Sequence, residues 1–128
     1  MKVEVSTAIE ELRRQFAAAT VTVLEDGQGG ARVVMDPVTI GPRYRPSDTW
    51  IGFQIPAQYP YADIYPVFIG GNVVRADGKP FVVPVTPGHN FEGRPALQVS
   101  RRNSAAQSGL QKAPAKILKI LDFLENLA

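Results

Sequence analysis

The sequence predicts a single α+β domain that spans residues 1–128, with a helix at each end and a four-stranded antiparallel sheet between the helices. Both ends of the chain repeat apolar residues at the helical period, whereas the middle alternates β-branched runs with Gly- and Pro-rich turns. The connections between successive runs are short, which favours an antiparallel meander. A chain of 128 residues fits one domain with a hydrophobic core.

The first predicted element is an amphipathic helix that begins near Thr7. Thr7 and Glu10 fit a capping box, and Ile9, Leu12 and Phe16 fall on one face. The opposite face is charged, and such a face is either simply solvated or available to a partner. Its charged residues are Glu10, Glu11, Arg13 and Arg14.

Four strands are predicted after this helix. Residues 20–37 indicate two strands that are joined by a Gly-rich hairpin and closed by Pro37. A third strand begins at Trp50 and continues toward Pro56. The apolar run from Ile64 to Ile69 is the fourth, and Pro66 within it indicates an edge or an irregular start.

Residues 70–110 show no strong periodicity and are predicted as a long irregular segment. Glycine, proline, asparagine and serine recur throughout it. Long irregular segments in compact domains are often functional, so this region is the first place to look for a site.

The last element is predicted as a helix with Pro114 in its first turn. Lys112, Lys116 and Lys119 are expected on its polar side. Its apolar stripe is expected to pack on the core and consists of Ile117, Leu118, Leu121, Leu124 and Leu127.

Composition excludes several classes of function. Without cysteine the chain has no disulfide, thiolate metal site or thiol nucleophile, and a single histidine argues against a zinc site. No phosphate-cradling glycine motif is present and no cofactor is expected, and a net charge of +2 gives no reason to expect a nucleic acid or membrane partner. No apolar run is long enough to span a bilayer and no signal peptide is recognisable, so a cytoplasmic location is expected.

Three arginines in the long segment are candidate binding residues. Arg94, Arg101 and Arg102, together with Lys112, could bind an acidic tail or a carboxylate, although solvated loop arginines are common. His89 lies in the same segment. It is most simply a surface or hydrogen-bonding residue, because no nucleophile motif accompanies it.

Four short patterns occur in one order along residues 7–127. They are "IGP" at 40–42 before a strand with Phe53, "YPYADIYP" at 59–66, "HNFEGRPAL" at 89–97, and "KAPAKILKILDFLENL" at 112–127. In this order they resemble motifs of the ubiquitin-conjugating enzyme family, and of its small bacterial relatives in particular. The family motifs are a Gly-Pro turn, a Tyr-Pro-x-x-x-Pro signature, a His-Pro-Asn box with the active-site turn, and the following helix.

The resemblance implies a function in a bacterial ubiquitination-like pathway, and such pathways are often tied to antiphage defence. A family member accepts a ubiquitin-like modifier from an activating enzyme as a cysteine thioester and passes it to an amine of an acceptor protein. Ala96 stands at the position of that cysteine. The resemblance also makes Asn90 the residue that supports the developing oxyanion, and His89 the structural histidine.

This chain departs from the family pattern in two respects. His89 and Asn90 are adjacent, without the intervening proline, and they stand closer to position 96 than in the family. Ala96 cannot form a thioester, so the chain is either a naturally non-catalytic relative that binds a ubiquitin-like protein or partner, or a form in which a native cysteine has been replaced. An unrelated α+β interaction domain is a third interpretation.

The resemblance also suggests binding residues. Arg94, Arg101 and Arg102 would guide the modifier, and Tyr59 and Tyr65 would line a loop that contacts the modifier or a partner. The charged face of the first helix, with Glu10, Glu11, Arg13 and Arg14, would dock the activating enzyme.

Overall fold

The structure is a computed structural model that describes residues 1–102 and 112–127. It confirms an α+β fold with a helix near each end and an antiparallel sheet, but the sheet has six strands rather than four. The strand order is β1-β2-β4-β5-β8-β7, and β3 and β6 form a separate two-stranded pair. The elements are α1 (Val3–Gln15), β1 (Thr20–Glu25), β2 (Ala31–Thr39), β3 (Tyr44–Arg45), β4 (Asp48–Ile55), β5 (Val67–Gly70), β6 (Val74–Arg75), β7 (Val85–Phe91), β8 (Arg94–Val99) and α2 (Ala113–Glu125).

Both helices pack on one face of the sheet, which we call the inner face. Alternate residues of each strand point to this face, as in β4, where Ile51, Phe53 and Ile55 are completely buried. These side chains form one core cluster with the apolar stripes of α1 and α2. Burial of this surface is the main force that holds the helices on the sheet.

Helix α1 begins four residues before the predicted capping box, so that prediction is wrong. Lys2 is the N-cap, and the N–H of Ser6 already donates to the Lys2 carbonyl at 3.0 Å. Thr7 therefore lies inside the helix. The start is set by packing, because Val5 is completely buried and extends the apolar face by one turn.

The predicted hairpin of β1 and β2 is confirmed, and Asp26 organises its turn. The Asp26 carboxylate accepts the backbone N–H groups of Gln28 at 2.8 Å and Gly30 at 3.1 Å. Its other oxygen accepts the side-chain amide of Gln54 at 2.9 Å. The N–H of Gln28 contributes most to a lowered pKa of Asp26, because it stabilises the ionised form.

This lowered pKa predicts a pH dependence of stability. The Asp26 carboxylate stabilises the folded state fully above its unfolded pKa of 3.8, and this contribution is lost as the pH falls through the lower folded pKa. The difference in melting temperature between wild type and D26N should therefore shrink as the pH is lowered from about 6 to about 2. Thermal melts across this range, with E125Q at the exposed end of α2 as the control, would contradict the prediction if the D26N difference stayed constant.

Strand β2 passes through Pro37 instead of ending there. The register with β4 shifts between Met35 and Val38, which is a β-bulge at Asp36 and Pro37. A bulge accommodates proline because the ladder hydrogen bond is interrupted at that point. Pro37 is exposed, and pairing resumes from Val38 to Thr39.

The region from residue 70 is more regular than the sequence predicts. It contributes β6, β7 and β8, and β8 pairs with β5 so that β5 is a central strand. Strand β5 starts only at Val67, immediately after Pro66, which agrees with an irregular start. The weak periodicity of β7 has a local cause, since a bulge between Thr86 and His89 breaks its alternation. The remainder of the predicted segment, residues 103–110, lies outside the described residues.

Helix α2 begins as predicted, with Pro114 in its first turn, and a tyrosine hydroxyl holds each of its ends. The Ala113 N–H donates to the Tyr59 hydroxyl at 3.0 Å, and the Tyr44 hydroxyl donates to the Leu124 carbonyl at 2.6 Å. Both bonds satisfy helix-end groups that have no partner within the helix.

The predicted faces of α2 are partly wrong. Its buried face consists of Ala113, Lys116, Ile117, Ile120 and Leu124, whereas Leu118 is 43% exposed. Lys116, expected on the polar side, is 3% exposed. The reason is an acidic partner in the loop between β4 and β5, residues 56–66, which we call the 60s loop.

Candidate functional site

The outer face of the sheet, opposite the helices, carries an aromatic cluster. Phe68 and Phe91 stack with ring centres 5.0 Å apart, and Trp50 and Phe91 stack at 6.3 Å. Val34 and Ala96 complete this outer aromatic cluster, which is separate from the main core. Trp50 and Phe68 remain partly exposed, so the cluster forms an apolar surface between polar neighbours.

Phe91 is the last residue of β7, and its ring reaches the cluster from beside the turn of the β7–β8 hairpin. Its tight turn uses positive φ at Glu92 (50°) and Gly93 (76°), as in a type I′ turn. Gly52 leaves room for the ring, since a Cβ at this position would lie 2.6 Å from a Phe91 ring carbon. The glycine therefore permits close contact between two elements that are distant in the chain.

Ala96 lies on β8 beneath this cluster. It is 2% exposed, and its Cα partners are Gly70 on β5 and His89 on β7. Gly71, which follows β5, also packs closely against the Ala96 backbone. A Cβ on Gly71 would lie only 2.9 Å from the Ala96 nitrogen. Position 96 is thus packed into the sheet and does not open onto solvent.

His89 and Asn90 lie close to Ala96 in the β7–β8 hairpin. His89 pairs directly with Ala96, and Asn90 pairs with Pro95. The Nε2 atom of His89 shares a hydrogen bond of 3.0 Å with the Thr86 hydroxyl, and its ring leans on Phe68 at 6.4 Å. His89 therefore ties the bulge of β7 to the aromatic cluster, while the Asn90 side chain is exposed.

Charged side chains border the outer aromatic cluster. The Arg94 guanidinium lies 5.6 Å from the centre of the Trp50 ring and 3.7 Å from an Asp36 carboxylate oxygen. Arg32 and Glu92 form a second ion pair at 3.1 Å. These pairs join the tip of the β7–β8 hairpin to β2, and each is exposed enough to contribute modestly to stability.

Arg94 does not group with the other two candidate arginines. Arg101 and Arg102 follow the far end of β8, beside α2 and the 60s loop. The Arg101 guanidinium carbon lies 4.6 Å from the centre of the Phe123 ring, and that of Arg102 lies 3.9 Å from the centre of the Tyr65 ring. The structure thus divides the three candidate arginines between two surfaces.

The two candidate tyrosines have different environments. Tyr59 is 5% exposed and holds the start of α2 through its hydroxyl, which is a structural role. Burial raises the pKa of the Tyr59 hydroxyl above 10.0, while the hydrogen bond from the Ala113 N–H opposes this effect. Tyr65 is partly exposed beneath Arg102, and Tyr61 between them is 80% exposed.

The charged face of α1 is mainly solvated. Glu10 and Arg13 form an exposed ion pair at 2.6 Å, and Arg14 is also exposed. Glu11 is half-buried and borders a shallow groove together with Tyr59 and other side chains. The remaining residues of this groove are Val3, Glu4, Thr7, Pro60 and Lys112.

Lys116 forms a buried ion pair that the sequence does not reveal. Its Nζ donates to the Asp63 carboxylate at 3.1 Å and to the Arg101 carbonyl at 2.7 Å. Burial lowers the pKa of Lys116, while the hydrogen bond and the charge of Asp63 oppose this effect. The ion pair joins α2, the 60s loop and the end of β8 at one point.

The described residues offer no metal site and no membrane span. Within residues 1–102 and 112–127, no three His, Asp or Glu side chains are grouped so that they could hold a metal ion. Neither described helix is long and apolar enough to cross a bilayer.

Comparisons with known protein families, with curated proteins and with solved structures find no match to this chain.

Sequence reasoning missed the outer aromatic cluster and the buried ion pair. Gly52 could have indicated the outer aromatic cluster, because a glycine inside a predicted strand often marks a close approach of another element. Lys116 carries no comparable signal. Its helical neighbours Ala113 and Ile117 do not indicate whether Lys116 lies on the buried or the exposed face of α2. Lys116 is buried because Asp63, which is distant in the sequence, pairs with it.

Proposed function

We propose that this protein is a non-catalytic binding domain related to the ubiquitin-conjugating enzymes, and that its outer sheet face binds a ubiquitin-like protein. The family relation rests on the order of the four sequence motifs. It is supported by the α+β fold with helices at both ends and by the pairing of His89 with Ala96. The end of β8 also lies against the first turn of α2, where Lys116 contacts the Arg101 carbonyl.

The burial of Ala96 is the observation that carries the non-catalytic part of this proposal. A thioester acceptor must present its sulfur to an activating enzyme and then to an amine. Position 96 is 2% exposed and carries a methyl group. A residue so placed contributes to packing and not to acyl transfer.

The surface over this position has the composition of a protein interface. Trp50 and Phe68 supply a partly exposed aromatic centre, and aromatic residues are enriched in binding hot spots. Arg94 lies beside Trp50, and Leu24 on the neighbouring β1 is 49% exposed. An apolar centre bordered by charged pairs is suited to a folded partner.

Binding can be tested through Trp50, the only tryptophan of the chain. Titration with ubiquitin-like proteins of the source organism should change its fluorescence. L24D, on the outer face, should weaken the interaction by at least about tenfold, because a charge is placed in an apolar contact. L118D, at a similarly exposed leucine of α2, is the matched control. Equal effects of both variants, or no binding at all, would refute the proposed surface.

The order of the motifs favours a second function, in which the native protein carries a cysteine at position 96 and acts as a conjugating enzyme. The carbonyl of the modifier's C-terminal glycine would form a thioester with that cysteine as the activating enzyme's thiol leaves. An amine of the acceptor protein would then attack this carbonyl, and the thiol at position 96 would be released. The source codon for residue 96 tests directly whether alanine is native.

The accessibility of position 96 separates the two functions experimentally. We expect the thiol of A96C to react with a thiol reagent at least about a hundredfold more slowly than that of T22C on the exposed face of β1, because a buried thiol reacts only after local opening. A96C should likewise form no reductant-sensitive adduct with an activating enzyme, modifier and ATP. Rapid labelling and such an adduct together would favour the conjugating enzyme.

A further inference from the structure

A pair of stacked arginines lies where β8 leaves the sheet beside α2. We propose that Arg101 and Arg102 form a binding site for a carboxylate-rich segment of a partner protein. This site is distinct from the outer aromatic cluster, and it does not depend on the function proposed above.

Aromatic rings support both guanidinium groups. Arg102 lies over Tyr65 at 3.9 Å, and Arg101 lies over Phe123 at 4.6 Å. A guanidinium over a ring keeps its N–H groups available to an acceptor, and its orientation is restricted before the acceptor arrives. Such restriction lowers the entropic cost of binding.

The backbone of this site is also held in place. The Arg101 carbonyl accepts a hydrogen bond of 2.7 Å from Lys116, which is 3% exposed and paired with Asp63. The buried Lys116–Asp63 ion pair therefore connects the backbone of this site to α2 and to the 60s loop. Both arginine side chains are nevertheless exposed.

Neither arginine of this pair has an ion-pair partner among the described residues. Among the described residues, no carboxylate lies within 4.0 Å of either guanidinium group. Asp63, which shares Lys116 with the Arg101 carbonyl, is already engaged in an ion pair with that lysine. The next residues of the chain, "NSAAQSGLQ" at 103–111, contain no acidic side chain. An external anion would therefore meet two cations without displacing an internal partner.

Carboxylates fit this site better than a nucleic acid does. Guanidinium groups bind carboxylate oxygens through paired, charge-assisted hydrogen bonds. A nucleic acid needs an extended basic surface, whereas this chain has a net charge of only +2. A short acidic peptide fits a site whose positive charge is limited to two neighbouring guanidinium groups.

Fluorescence anisotropy with a fluorescein-labelled hexaglutamate peptide at low salt tests this site. We expect the wild type to bind and R101Q/R102Q to bind at least about tenfold more weakly, because two charge-assisted contacts are lost. R101K/R102K should bind about threefold more weakly, since lysine keeps the charge but not the planar group. R45Q, at an exposed arginine of β3, is the control and should change binding by less than about twofold.

Three outcomes would overturn the proposal. These are no binding of hexaglutamate by the wild type, an equal loss in R45Q, or binding of a labelled hexaglutamine peptide with the same affinity. An oligothymidylate that bound more tightly than hexaglutamate and responded to the same variants would assign the site to phosphate instead. Circular dichroism melts verify that the variants are folded, and because no ubiquitin-like protein is used, failure here leaves the outer-face proposal standing.

Discussion

K116M is expected to lower the free energy of unfolding by about 3–5 kcal/mol, which is the largest effect that we predict. Methionine keeps the length of the side chain but removes the charge that compensates Asp63. The Asp63 carboxylate, only 8% exposed, would lose its ion pair with Lys116, and the Arg101 carbonyl would lose the donor at Lys116. Such a loss is a large part of the total stability of a small domain.

A double-mutant cycle identifies the origin of this effect. In the K116M background, D63N should restore about 2 kcal/mol, because it removes the buried charge that Lys116 neutralises in the wild type. Urea unfolding of the wild type, both single variants and the double variant measures the four free energies. K112M, at the exposed residue before α2, should change stability by less than about 0.5 kcal/mol. Additive effects of K116M and D63N would contradict the ion-pair explanation.

F91A is expected to destabilise the protein by about 3 kcal/mol and to change the environment of Trp50. Phe91 is 8% exposed and covers Gly52, so its loss opens a cavity at the centre of the outer aromatic cluster. The stacked contacts with Phe68 and Trp50 would be lost together. Trp50 should then become more exposed to water, which shifts its fluorescence emission to longer wavelength.

F81A is the matched control for this experiment. Phe81 also stacks on an aromatic ring, that of Tyr44 at 6.1 Å, and it packs against the main core instead of the outer face. We expect F81A to destabilise the protein while leaving the emission of Trp50 in the folded state unchanged. Unchanged Trp50 emission in F91A would show that the Phe91 ring does not pack against Trp50 in solution.

A second consequence of F91A concerns position 96. Ala96 belongs to the same cluster, and the hairpin that carries Phe91 also supplies its neighbour His89. Combining F91A with A96C should therefore accelerate thiol labelling relative to A96C alone, because local opening becomes easier. The same hairpin that forms the proposed binding surface thus protects the residue at the position of the family cysteine.

The parts of the fold that were predicted well from sequence are those with local causes. The β1–β2 hairpin follows from β-branched runs on both sides of a glycine-rich turn, and Pro114 marks the first turn of α2. The parts predicted wrongly depend on distant residues. Strands β7 and β8 are irregular in sequence because of a bulge, but pairing of β8 with β5 makes them part of the sheet.

The candidate site shows the same division. The sequence motif around residues 89–97 grouped His89, Asn90 and Ala96, and these residues lie close together in the register of β7 and β8. It also grouped Arg94 with Arg101 and Arg102. Arg94 starts β8 whereas the other two follow its end, and a rise of about 3.3 Å per residue separates them onto different surfaces.

Residues close together in the chain were enough to establish the α+β class, a helix near each end, the first hairpin, and the lack of a thiol at position 96. Periodicity, turn residues and side-chain chemistry are properties of neighbouring residues, and they can be recognised without a fold. Tertiary contacts were needed to establish that Ala96 is buried, that Lys116 is paired inside the protein, and that two arginines are supported by aromatic rings. Each of these depends on residues far apart in the chain, since burial and charge compensation are set by what packs against a side chain.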